Sequence, residues 1–167
     1  MSSQFDYRAT PPRPAAAVFA AMVDAECLRA RLAKLGGRNG ALLEHEADAE
    51  HARFRVQHGL EPEDMPSAVR SFLPADFVII RLETWRRDGD GRYTGMADVD
   101  VPGTPADATG QMGLRDAGTG SELRIRTDVT VRVPLLGGRI EGSVGQQILK
   151  LLASETAFTL DWMNRNA

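Results

Sequence analysis

The sequence predicts an α+β domain, a curved antiparallel sheet of about seven strands wrapped around one long C-terminal helix, with two short helices after the first strand. Three observations carry the prediction. Between Gly137 and Asn166, Ile140, Val144, Ile148, Leu151, Glu155, Phe158 and Trp162 recur at steps of four and three, one stripe of an amphipathic helix in which only Glu155 is polar. From Ala52 onward the chain instead alternates with period two, giving successive strands with one apolar face each. Gly, Asp and Pro cluster between those strands, where tight antiparallel connections need them. A helix of that length, about 30 Å at its rise per residue, needs a large apolar partner, and the sheet supplies one.

Taken in order, residues 4–9 place Phe5, Tyr7 and Ala9 on one side and Gln4, Asp6 and Arg8 on the other, a first strand. Thr10-Pro11-Pro12-Arg13-Pro14 blocks its continuation. Proline is tolerated in a first helical turn, where its missing N–H had no partner, so a short helix carrying Val18, Phe19 and Met22 starts near Pro14. Asp24 caps a second helix over residues 25–35, and Gly36-Gly37 ends it by permitting positive φ. Residues 41–47 and 52–58 are strands joined around Asp48-Ala49-Glu50; Phe54, Val56 and His58 share a face with Ala52 in the second. Residues 59–66, broken by Pro62 and Pro66, read as a loop, and 67–73 as a helical turn or two stopped by Pro74.

Residues 76–87 form a long strand, apolar on both faces at its start, as an interior strand should be. Asp88-Gly89-Asp90-Gly91 is the strongest turn signal. Strands over 93–101 and 107–116 follow, the latter turning Ala108, Gly110, Met112 and Leu114 inward. Leu123, Ile125, Thr127, Val129, Val131 and Val133 then share one face, the clearest alternation in the chain, before Pro134 and Gly137-Gly138 release it into the long helix. No repeat or linker divides residues 1–167, which read as one domain.

Composition narrows the function classes. Hydrophobic residues at 43% and charged residues at 26% match ordinary globular usage and argue against disorder and against a membrane protein. The net charge of −3, from 20 basic and 23 acidic residues well mixed, offers no field to hold a phosphate backbone, so nucleic acid is not an expected partner. No stretch has the roughly twenty consecutive apolar residues of a membrane span. One cysteine, Cys27, forms no internal disulfide, and the start MSSQFDYRAT lacks the features of a secretion signal, which together predict a cytoplasmic protein.

The stretches FDYRATPPRPAAAVFAAMVD, RLETWRRDGDGRYTG, VDVPGTPADATGQMGL and VRVPLLGGRIEGSVGQQILKLLASETAFTLDWM resemble an actinobacterial domain family of unknown function. The run VPLLGGRIE leading into a long helix is the most specific of them. The order of elements, over essentially the whole chain, resembles the START-like, birch-pollen-allergen-like (SRPBCC) superfamily with its helix-grip fold. That resemblance implies a cavity between helix and sheet. Superfamily members typically hold lipids, sterols, polyketides or other hydrophobic molecules there, and some are cyclases or protein-binding co-chaperones. The actinobacterial family brings no established catalytic residues to carry over.

Candidate residues follow from polarity out of place. Glu155 either points into a cavity, where it could meet a ligand, or lies at the edge of the stripe and reaches solvent past Leu151. His58 either contacts a ligand or is a satisfied histidine at a strand end. Arg81 and Glu83 share a face with Trp85, and the expected arrangement is an outward ion pair on the convex side, the alternative a buried pair at a ligand head group. Tyr7 and Tyr93 sit on apolar faces, by default packed in the core with the hydroxyl at a rim. Gly142 and Gly145 interrupt the long helix at about 1 kcal/mol each relative to Ala, which calls for a close approach or a late helix start. Cys27 reads as an inert buried thiol.

No nucleophile elbow, phosphate loop or zinc-ligand spacing is present in the sequence, so neither a cofactor nor a metal is predicted, and no catalytic residue is assigned. The expectation is a protein that binds a small hydrophobic molecule, lipid or polyketide-like, with Phe54, Val56, Met112, Ile148, Leu151, Glu155 and Phe158 lining the site and His58 and Tyr93 as polar contacts. The alternatives are a cyclase or hydrolase using cavity acids and bases, and a protein-interaction module whose core is filled.

Overall fold

The computed structural model describes residues 2–59, 67–71, 73–74 and 76–167, the side chains of residues 68 and 69 excepted. Its elements run β1 (Ser3–Ala9), α1 (Ala15–Met22), α2 (Ala25–Leu35), β2 (Ala41–Ala47), β3 (His51–His58), α3 (Ser67–Arg70), β4 (Ile79–Arg87), β5 (Arg92–Asp100), β6 (Ala106–Ala117), β7 (Gly120–Val131) and α4 (Gly137–Arg165). The seven strands form one antiparallel sheet in the order β1-β7-β6-β5-β4-β3-β2. Strands β2 to β7 are a meander in which each pairs with the next. The first strand joins the far side of the last. Most of the loop read over residues 59–66 lies outside the described residues.

Local chemistry sets the boundaries. Asp24 accepts a hydrogen bond from the Cys27 N–H and caps α2, as the sequence predicts, and Gly37 takes φ +65° just beyond its end. Helix α1 has no side-chain cap of its own; Asp116, at the end of β6, accepts from the Ala15 N–H at 2.8 Å instead and ties that helix to the sheet. Strand β4 begins at Ile79 rather than at residue 76, because its partner β3 ends at His58, directly opposite Ile79. A strand without a facing ladder has nowhere to send its backbone hydrogen bonds.

The helices cover one face of the sheet. Phe19 of α1 stacks on Tyr93 with ring centroids 4.2 Å apart and meets Trp85 edge-on at 6.1 Å, joining α1 to β4 and β5. The Trp85 ring lies over Gly95, its neighbour across the ladder, where a Cβ would come within 2.6 Å of the indole. Helix α4 packs on β1, β7, α1 and α2. Its approach to β1 requires Gly145, since a Cβ there would run into the Phe5 ring, whereas Gly142 faces open space. The close-approach reading therefore holds for Gly145 and not for Gly142. Glu141 fixes the same end of the helix: it accepts from the Ser3 hydroxyl at 2.6 Å and from the Val131 N–H at 2.9 Å.

The buried line on α4 differs in part from the stripe the sequence predicts. Ile140, Glu155 and Phe158 are buried, joined by Glu141, Gly145, Leu152, Thr159 and Met163, while Val144, Ile148, Leu151 and Trp162 are only half-buried. The helix is pressed against β1 and β7 but stands off from the middle of the sheet. Three of those half-buried side chains, Val144, Ile148 and Leu151, border the space that results.

Candidate functional site

That space is a cavity of about 410 Å³ between α4 and the concave face of the sheet, closed at one side by α1 and α2. Its wall is graded. On the side of β6, β7 and the first half of α4 it is mainly apolar, with Ala108, Met112, Ile125, Val129, Val144 and Ile148 beside Asp107, Thr127, Gln147 and Lys150. On the side of α2, β3 and β4 it carries Arg31, His58, Arg81, Glu83 and Glu155. A depression of similar volume on the outer face of the sheet, among Arg55, Ile80, Leu82 and Asp98, has no part in this arrangement.

All five of these polar side chains are buried: Arg31 is 6% exposed, His58 5%, Arg81 8%, Glu83 7% and Glu155 6%. Arg81 spans the gap from β4 to α4 and donates from Nη1 and Nη2 to the two oxygens of Glu155, at 3.1 and 2.6 Å. Its Nε lies 3.3 Å from Glu83 Oε2, and the Trp85 Nε1–H donates to the other Glu83 oxygen at 3.0 Å. Arg31 of α2 reaches Glu155 Oε2 only at 3.6 Å, an ion pair without a hydrogen bond. Its Nε and Nη2, like Nε2 of His58, are buried with no hydrogen-bond partner among the described residues.

These neighbours set the charge states. Burial pushes the Glu155 carboxyl up, but Arg31 and Arg81 outweigh it and hold the group at about 2. Burial likewise disfavours the charged Arg81, and Glu155 and Glu83 outweigh it and raise its pKa. His58 has no such rescue: burial, then Arg81, lowers its pKa to about 3 against the opposing pull of Glu155, so the imidazole is neutral. Burial raises the Cys27 thiol to about 11, as an inert thiol should be.

Several expectations are corrected. Arg81 and Glu83 do not form an outward pair on the convex side. The β3–β4 register puts Arg81 opposite Val56 and Glu83 opposite Phe54, and residues directly opposite share a face, so both charges point inward with Trp85. Glu155 is neither at the edge of its stripe nor in solvent, and His58 is buried with Nε2 unsatisfied rather than a satisfied histidine. Of the nine residues expected at the site, His58, Met112, Ile148, Leu151 and Glu155 border the cavity. Phe54, Val56, Tyr93 and Phe158 do not: they are buried in packed core, Tyr93 beneath Phe19 and Phe54 beside the His45 ring. The Tyr7 hydroxyl is bonded to Thr156 Oγ1 at 3.0 Å.

Arg31 escaped the sequence reading altogether. It follows Cys27 and Leu28 by four and three residues and precedes Leu35 by four, so it interrupts an apolar helical stripe just as Glu155 does, and that signal could have found it.

A curved seven-stranded antiparallel sheet gripping a long C-terminal helix, with two helices after the first strand, defines the helix-grip fold of START-like, birch-pollen-allergen-like proteins. Solved structures agree at the level of fold. The crystal structure of TTHA0849 from Thermus thermophilus is similar with a TM-score of 0.63 at 14% identity, over 99% of each chain. That of the Zhui aromatase/cyclase from Streptomyces sp. R1128 gives 0.57 at 12% identity, over 99% of this chain and 95% of the other. Within that class the chain belongs to the family described as Protein of unknown function (DUF2505), which matches residues 6–163. Uncharacterized protein Rv0481c of Mycobacterium tuberculosis is 27% identical over 106 residues, 62% of this chain, and the chain spans 60% of the length of that relative. Among the described residues no helix is long and apolar enough to cross a membrane.

Proposed function

We propose that the protein binds a small hydrophobic molecule, lipid or polyketide-like, in the cavity between α4 and the sheet, with residues 1–167 acting as one START-like domain in the cytoplasm. The observation that carries this reading is the cavity itself, about 410 Å³ with a mainly apolar wall. Protein interiors normally fill such space with side chains, and ligand pockets run to about 300–1,000 Å³. Each buried methylene contributes about 0.8 kcal/mol, so about ten of them supply roughly 8 kcal/mol, a gain of the size of the association cost that any binding must overcome.

The alternatives have less support. Acid–base catalysis wants a group poised near neutrality, but Glu155 is ionised against Arg81 and His58 is neutral with a pKa of about 3. That the Streptomyces structure is named an aromatase/cyclase concerns its own chemistry. A protein-interaction module with a filled core is at odds with the open volume. The test is native mass spectrometry of freshly purified protein, followed by organic extraction. A stoichiometric hydrophobic passenger is the expected result. A clean apo mass, together with no thermal shift against a panel of lipids and polyketides, would refute the proposal.

A further inference from the structure

The graded wall points to more than a greasy ligand. The mainly apolar side lies against β6, β7 and the start of α4, and among the described residues every buried charge of the cavity lies against α2, β3 and β4. A molecule occupying the whole space has one apolar end and one polar end. The four charges at the polar end are two cations and two anions, but they are unequally engaged. Arg81 has both terminal nitrogens on Glu155, and Glu83 is held by Arg81 and Trp85. Arg31 has the most hydrogen-bonding capacity unspent: Nε and Nη2 are buried and unpartnered among the described residues, against Nε alone on Arg81, and its contact with Glu155 is 3.6 Å long.

An N–H buried without an acceptor has lost its water and gained no partner, a penalty larger on a charged group, so a ligand oxygen at this position removes an existing penalty. The geometry selects which oxygen. Nε–H and the adjacent Nη–H on the same edge of a guanidinium diverge little and match the two oxygens of a carboxylate, a fork that a single hydroxyl or carbonyl cannot satisfy. His58, also at this end of the cavity, has its Nε2 without a partner, available to a carboxyl oxygen as an N–H donor in the appropriate tautomer.

We infer that the ligand is an amphiphile with a terminal carboxylate, held by the Nε/Nη2 edge of Arg31 with His58 beside it, its apolar body running toward Met112, Ile125 and Val129. This rests on the proposed hydrophobic binding and adds the head group. It also assigns Arg31 the role of selecting acids, while Arg81 and Glu155 hold the wall in place.

The experiment compares lauric acid, lauryl alcohol and methyl laurate by isothermal titration calorimetry at neutral pH, with the native chain and with Arg31→Met, which keeps the stem of the side chain and removes the fork. The acid is expected to bind the native chain at least tenfold more tightly than the alcohol or the ester. Arg31→Met should erase that preference and leave the ester unchanged. If all three bind the native chain equally, the carboxylate assignment is overturned and the hydrophobic cavity stands. Should none of the three bind, the hydrophobic reading fails for this ligand class and the assignment with it. Acid preference retained in Arg31→Met would overturn the role of Arg31. The comparison on the native chain decides the head-group question even when the variant does not fold.

Discussion

A carboxylate taken out of water persists as an ion only when its oxygens are occupied, and both oxygens of Glu155 are, by Arg81 and by the longer contact from Arg31. Glu155→Gln removes the charge that two buried guanidinium groups share. Breaking a buried pair from one side costs about 3–5 kcal/mol because the partner stays buried and uncompensated. Urea unfolding should show the midpoint of Glu155→Gln falling accordingly, and a change of under about 1 kcal/mol would show that water already reaches Arg81. Arg53→Ala, at a half-exposed pair with Glu44 on the outer face, should leave the midpoint nearly unchanged. That Glu155 is out of place was legible in the sequence, since it alone interrupts an apolar stripe. Its partner was not. Arg81 lies 74 residues away on a strand whose two faces both begin apolar, and only the register with β3 decides which of them turns inward.

At the scale of the element, α4 shows how a helix can be read correctly in length and only partly in contact. Its limits and its amphipathic character follow from the periodicity, but which side chains are fully covered depends on where the helix touches the sheet and where it stands away. The two glycines separate these cases. Gly142 faces open space, so Gly142→Ala should stabilise the protein by up to about 1 kcal/mol, the helix propensity gained with nothing to displace. Gly145→Ala gains the same propensity but drives a methyl into the Phe5 ring. Overpacking of this kind costs about 1–3 kcal/mol, so the net change should be destabilising. Thermal unfolding of the two variants side by side should give shifts of opposite sign. Shifts of the same sign would mean that α4 does not sit so close on β1. The sequence presented both glycines as the same anomaly, and only the separation of two elements distinguishes them. The cavity was legible in the same limited way: its existence follows from the resemblance, while four of the nine residues expected around it, Phe54, Val56, Tyr93 and Phe158, do not border it, because buried positions on one face look alike until α1 is placed over some of them.

For the molecule as a whole, the buried charges fix a range of pH in which the fold is most stable. The His58 imidazole falls from 6.5 to about 3 on folding, so between those values the unfolded chain binds a proton that the folded chain refuses. Stability therefore drops as pH falls through that window, by up to about 1.4 kcal/mol per pH unit. Glu155 and Glu122 fall from 4.5 to about 2, the latter mainly through hydrogen bonds from Arg8 and Arg115, and their contributions are present above 4.5 and lost as pH falls below it. Cys27 rises from 9.0 to about 11, so the unfolded thiol ionises first and stability declines again as pH climbs above 9.0. Unfolding midpoints measured across pH should accordingly form a plateau between about 6.5 and 9.0, with a shoulder on the acid side that starts well above the carboxylate range. Because, among the described residues, only His58 accounts for the part between 6.5 and 4.5, His58→Leu should extend the plateau down to about 4.5 and leave the steeper loss below it in place. A shoulder that survives His58→Leu would mean that another group, and not the buried imidazole of His58, produces the loss between 6.5 and 4.5.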